Sequence, residues 1–318
     1  MKQDKNFATS ARESLNGSKS TPKREYIPTA KCSLRKEKEV GSDLNRYFSR
    51  MGARVKVLEG VSPVRRWNGF RPREEAPRIV LDIRRDKQGE YFEIRTAPGG
   101  NQEIVVLNVQ PREKHLLLLS RQFGAQGQFL AKQKFLCGHD ERHWFVAAIP
   151  ENEPVTTVAS AKIALKPEEI RSREKALGLS RKDSFRRKNA AFVRQGEWFF
   201  IPAADVKANS LLILKNEPLS RGNGGKPHWA EECYRSGGET VYVSGKYPSG
   251  IAAREYNRLP EPERKHGNFR MMQRDASVHV RGEIRHPDHE TVVLNGWHRV
   301  LVNTENRSSA MRFLVFLD

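Results

Sequence analysis

The sequence predicts a mixed α+β protein dominated by antiparallel β-structure, and three observations carry that reading. Short apolar runs separated by turn residues recur on both sides of residue 155, and one block between Thr156 and Gly196 carries helix signals. The chain is also strongly basic, with 57 Lys+Arg against 38 Asp+Glu and a net charge of +19 over 318 residues. That length fits two domains, or one with appendages. Fifteen Phe, 7 Tyr and 5 Trp supply a real core, which a disordered chain lacks. The expected organisation is two β-rich lobes, meander- or barrel-like, at 43–150 and 197–318. A small basic helical unit at 151–196 joins them, and a flexible basic arm at 1–42 precedes them.

In chain order, the arm comes first. It holds ten cations against five acids and shows no apolar period, so it reads as a solvated tail or as an arm that orders on a polyanion. Ser42-Asp43 followed by Leu44, Tyr47, Phe48 and Met51 predicts a short amphipathic helix closed by Gly52. Six β-type runs follow: Ile79–Ile83, Tyr91–Ile94, Ile104–Val109, Leu116–Leu119, Phe129–Leu136 and Trp144–Ile149. Thr157 can cap a helix reaching Leu165, and Pro167 with Glu168 and Glu169 fits the first turn of a second helix ending at Gly178. Ser180 and Asp183 make a capping-box-like start for a third helix running to about Val193. Beyond it β-type runs return at Trp198–Ile201, Leu211–Leu214, Thr240–Val243, Val278–Ile284, Val292–Leu294, Val300–Val302 and Phe313–Leu317. The loop Ser220–Pro227 and the polar stretch Pro248–Asn268 read as interruptions.

Several classes are excluded at this level. The longest apolar runs fall far short of the roughly 18 residues of a membrane span, and Met1–Ser20 has no apolar stretch of the secretory kind. Three widely spaced cysteines, Cys32, Cys137 and Cys233, fit a reducing compartment rather than a disulfide scaffold. The expected location is cytoplasmic. Signatures of P-loop enzymes, serine hydrolases, HExxH metalloproteases and dinucleotide-binding folds are missing.

Charge points to the partner. Arg171, Arg173, Lys175, Arg181, Lys182, Arg186, Arg187 and Lys188 crowd the helical block, and Arg221 and Lys226 flank the glycines of the Ser220–His228 loop. Such a fan calls for solvent or an external polyanion, whose binding releases counterions. Trp and Phe beside cations, as at Arg142-His143-Trp144 and Trp297-His298-Arg299, suit base stacking next to phosphate contacts. The expected function is nucleic-acid binding, with RNA favoured over DNA because no clear recognition helix emerges. A membrane-surface role is weaker, since no basic amphipathic helix has a strong apolar face.

A metal-assisted hydrolase or nuclease is the alternative, and two histidine-rich clusters motivate it. Cys137, His139 and His143 occupy an expected hairpin tip, and with His228 they could hold zinc or another divalent ion, although no ligand pair has a standard spacing. His286, Asp288, His289 and His298 are the expected catalytic groups, histidine being suited to proton transfer near neutral pH. Pro287-Asp288 is also an ordinary turn dipeptide. The phrases Arg194-Gln195-Gly196-Glu197-Trp198-Phe199-Phe200 and His286-Pro287-Asp288-His289 are distinctive. Whether the two clusters meet decides between the readings.

Overall fold

The computed structural model describes residues 43–60, 79–96, 101–220 and 226–308. The arm, Arg221 and the run Phe313–Leu317 lie outside them. The fold is mixed α+β, with antiparallel sheets dominant. Residues 43–50 form helix α1, which places Leu44, Phe48 and, just beyond it, Met51 in a core and ends at Gly52 with φ +79°. Strands β1 (Val55–Glu59), β2 (Val80–Asp86) and β3 (Gly89–Thr96) make a three-stranded sheet in which β1 runs parallel to β3. Strands β4 (Gln102–Gln110), β5 (His115–Phe123), β6 (Phe129–Asp140) and β7 (His143–Ile149) then pair in sequence order as an antiparallel meander.

Two cores share that meander. Leu116, Leu118, Phe135 and Cys137 pack with α1 and β3 on one face. On the other, Leu117, Leu136, Ala147 and Ile149 meet helix α2 (Val158–Ala164) through Val158, Ala161 and Ala164. Burial on both faces is why Leu116–Leu119 reads as a continuous apolar run rather than an alternating one.

Thr157 caps α2 by accepting from Ser160 N–H. Pro167 takes the cap position of α3 (Glu168–Ala176) instead of its first turn, and the chain beyond α3 turns at Gly178 with φ +60°. The third helix is a correction. Helix α4 spans only Arg181–Ser184, so Arg186, Arg187 and Lys188 do not share a helix. Asn189 explains the stop, because its side-chain oxygen accepts from the N–H groups of Ala191 and Phe192 while its amide donates to the Asp183 carbonyl. Ala191 and Phe192, within the span expected for that helix, pack with Ile170, Phe199 and Ile201.

The largest sheet has six antiparallel strands. They are β8 (Val193–Gln195), β9 (Trp198–Pro202), β10 (Ile213–Leu219), β11 (His228–Ser236), β15 (Ser277–His286) and β16 (His289–Val302), in the order β10-β11-β15-β16-β9-β8. Trp198, Phe200, Ala230, Cys233, Val280, Ile284 and Val300 form its core. A second three-stranded sheet joins β12 (Glu239–Val243), β13 (Ile251–Ala252) and β14 (Arg270–Arg274). The stretch expected as a plain polar loop contains α5 (Ala253–Arg258) and α6 (Glu261–His266), secured by Tyr242 stacked on Tyr256 at 3.8 Å. All four sheets run open from one edge strand to another, so none of the described residues closes a barrel. Among them no helix is long and apolar enough to cross a membrane.

Candidate functional site

Two hairpin tips meet, one from each histidine-rich phrase. The β6–β7 hairpin turns at Glu141-Arg142, and the β15–β16 hairpin turns at Pro287-Asp288. The Glu290 N–H donates to Glu141 Oε2 at 2.8 Å, and the same carboxylate oxygen lies 3.5 Å from His289 Nδ1. His143 donates through Nδ1 to Glu90 at 2.7 Å, while its Nε2 lies 3.7 Å from Asp288 Oδ1. Arg187 clamps the first tip by pairing with both Asp140 and Glu141. Asp288 receives Lys226 on both oxygens, at 2.8 and 2.9 Å. That bond holds its carboxyl below the usual range.

Against the second tip, three histidines form a ladder across neighbouring strands. His286 pairs directly with His289, and one residue beyond the Trp229–Arg285 pair His228 comes opposite His286. Adjacent strands lie about 4.8 Å apart, so the His228 and His286 rings stack with centroids 4.2 Å apart, and the His286 and His289 rings lie tilted at 4.7 Å. A flat sheet would leave the outer two about 10 Å apart. A register shift between Ile284 and His286 bends the strand, and the His228 and His289 rings stand 5.6 Å apart. One nitrogen from each of the three lies within 4.8 Å of the others.

The rings are held differently. The Asp288 N–H donates to His286 Nδ1 at 3.1 Å, which leaves the proton on Nε2, 3.3 Å from the Lys226 carbonyl. His289 lies over Gly196, where a Cβ would come within 2.8 Å of its Nε2. Gln195 donates to the carbonyls of Ile284 and Glu290, tying the β8–β9 turn to the histidine hairpin. His228 is 2% exposed beside the buried Trp198 ring, and its Nε2 has no hydrogen-bond partner. Burial first, then His286 and His289, push its pKa down to about 3, so it is a neutral imidazole at neutral pH.

A cleft of about 410 Å³ opens beside this cluster, with His143, Asp288 and His289 on one side and Lys166, Phe185 and Arg186 on another. Lys166 is buried and donates to Glu174 at 2.6 Å and to Ser184. The Phe185 ring has the Lys162, Lys166 and Arg181 cations within about 6 Å of its centroid.

The expected fan of free cations is corrected in part. Arg171 pairs with Glu153 and Glu168, Arg186 with Asp183, and Arg187 with the first tip. Lys175, Arg181, Lys182 and Lys188 are exposed with no carboxylate partner among the described residues, and Arg173 is half-buried.

The expected zinc set does not assemble. Cys137 is a core thiol opposite Val146, its pKa raised by burial. His139 packs edge-on against Trp144, and His143 turns to Glu90. His228 joins His286 and His289 instead. His298 also stands apart, nine residues from His289 along β16 and so on the order of 30 Å away. It is buried opposite Val280, with Nδ1 3.0 Å from the Gly296 carbonyl. His279, inside the expected run Val278–Ile284, is buried beside Tyr234. The organising roles of Glu141, Arg187, Gln195 and Gly196 were not foreseen, although the distinctive phrase at 194–200 contains the last two. Comparison with protein-family models, curated proteins and solved structures returns no match for this chain.

Proposed function

We propose that this chain binds nucleic acid, RNA in preference to DNA, in a cytoplasmic setting. In this reading 43–150 and 197–318 act as two β-rich lobes, 151–196 presents the basic surface between them, and 1–42 adds a basic arm. The single observation that carries it is a set of exposed cations, Lys175, Arg181, Lys182 and Lys188, with no carboxylate partner among the described residues, of which Arg181 lies over the Phe185 ring. Cations next to a half-buried ring suit phosphate contact with base stacking. The four-residue α4 is too short to fill a major groove, which favours RNA.

Affinity for a labelled single-stranded RNA is expected to fall steeply with salt, with a log–log slope near −0.7 per phosphate neutralised. Combining Arg181→Glu, Lys182→Glu and Lys188→Glu should weaken binding and flatten that slope by about 0.7 for each phosphate no longer neutralised. Salt-independent retention, or a variant that binds as wild type, would sink the proposal.

Metal-assisted hydrolysis of the bound strand is the second reading, favoured by the three histidines beside the same cleft. A bound ion would generate hydroxide against a phosphodiester. Cleavage of the labelled strand only when zinc or manganese is supplied is its expected signature.

A further inference from the structure

We infer that His228, His286 and His289 form a site for one divalent transition-metal ion of the zinc class, with a coordination position left open toward the cleft. The site is independent of nucleic-acid binding, and it would supply the ion that the hydrolytic reading needs.

Geometry comes first. One nitrogen from each histidine already lies within 4.8 Å of the other two. Zinc–nitrogen bonds of 2.0–2.1 Å in tetrahedral geometry ask for nitrogens roughly 3.4 Å apart. Closing that difference asks the partly exposed His286 and His289 rings to rotate.

Unsatisfied hydrogen bonding comes next. A neutral imidazole has one donor and one acceptor, and stacked rings point neither at one another. His228 Nε2 and His289 Nδ1 are buried with no hydrogen-bond partner. Buried polar atoms are nearly always satisfied, and an orphan calls for an unseen water or ion. An ion would take a lone pair from both orphaned nitrogens and from His286 Nδ1, displacing the Asp288 N–H that this nitrogen now accepts.

A supporting contact of the kind a metal site uses is also present. Ligating histidines commonly give their other nitrogen to a carboxylate or carbonyl, which orients the ring. The Lys226 carbonyl stands 3.3 Å from His286 Nε2 and would orient that ring.

The nearby oxygens narrow the choice of ion. Lys226 occupies both oxygens of Asp288, and Arg187 and the Glu290 N–H occupy Glu141. What remains is a set of imidazole nitrogens, suited to zinc, cobalt, nickel, copper or iron and poor for magnesium or calcium. Three protein ligands also leave room for water or substrate, the arrangement of reactive rather than purely structural zinc sites. Asp288 and His289 line the cleft, so the open position would face it.

The test uses tag-free, full-length protein stripped with a chelator and titrated with zinc, with cobalt as the spectroscopic probe. About one equivalent of zinc per chain should survive gel filtration, and a large excess of magnesium should not displace it. Cobalt should give visible absorption bands that zinc removes. His286→Gln and His289→Gln should each lower zinc affinity at least about tenfold, while His298→Gln retains it. His228→Gln changes a buried ring and serves only alongside a circular-dichroism check of folding. Less than about a tenth of an equivalent on the wild type would overturn the inference. So would undiminished zinc binding in both the His286 and His289 variants. RNA binding measured on the same samples keeps the two proposals separate, since a chain that binds RNA without zinc loses only this one.

Discussion

His115 shows how far a single side chain depends on its neighbours. It opens β5 opposite Gly138, and a Cβ there would lie 2.6 Å from the His115 ring and 2.7 Å from Phe145. The missing side chain admits both rings, which meet edge to face at 5.7 Å. Burial then pushes the His115 pKa down to about 4, against about 6.5 in an unfolded chain. Between those values the unfolded chain takes up a proton that the folded one refuses. Stability is therefore full above pH 6.5 and falls as pH drops toward 4. The His115 share of the loss should reach about 2 kcal/mol at pH 5. Urea melts at pH 7.5 and pH 5 should show this loss in the wild type but not in His115→Gln, and equal losses would refute the assignment. None of this was legible in the sequence, where Gly138 is simply the residue beside His139. Nor was the burial of His279, because alternation along a strand fixes a face but not what covers it.

At the level of elements, local chemistry was read well wherever it stayed local. Thr157 caps α2, Ser180 starts α4, and the β6–β7 turn falls within Cys137–His143. The expected third helix failed because of one residue. Helix signals at Ser180 and Asp183 say where a helix begins, whereas Asn189 decides where it stops by offering the backbone a tighter alternative. Its side chain makes three hydrogen bonds to the main chain. Asn189→Ala is expected to cost about 1–3 kcal/mol by leaving half-buried amides unpaired, and thermal unfolding followed by circular dichroism checks it. A change below a few tenths of a kcal/mol would mean that packing of Phe192 alone shapes the turn. The helices α5 and α6 escaped notice for the opposite reason. They are six residues each, none of their residues is buried, and they carry no apolar period to read.

For the whole molecule, the deciding fact was long-range. No expected run covers His228, which opens β11, while His286 lies just beyond the expected run Val278–Ile284. Which strands become neighbours depends on a sheet order, β11-β15-β16, that no local pattern specifies. The glycine and glutamine of the 194–200 phrase sit against the His286–His289 hairpin from about ninety residues away. Separation in sequence has a kinetic consequence as well. The bond from Glu290 to Glu141 spans 149 residues, and closing so long a loop costs entropy that nearby hairpins never meet. The two tips should dock after the rate-limiting step of folding, once each hairpin has formed. Glu141→Gln, which weakens the Arg187 clamp and the contact to His289, should then steepen neither arm of the chevron. It should raise the unfolding rate and leave the refolding rate near that of the wild type. A refolding rate that falls in proportion to the lost stability would place the meeting of the tips before the barrier, and the histidine ladder would then belong to the folding nucleus.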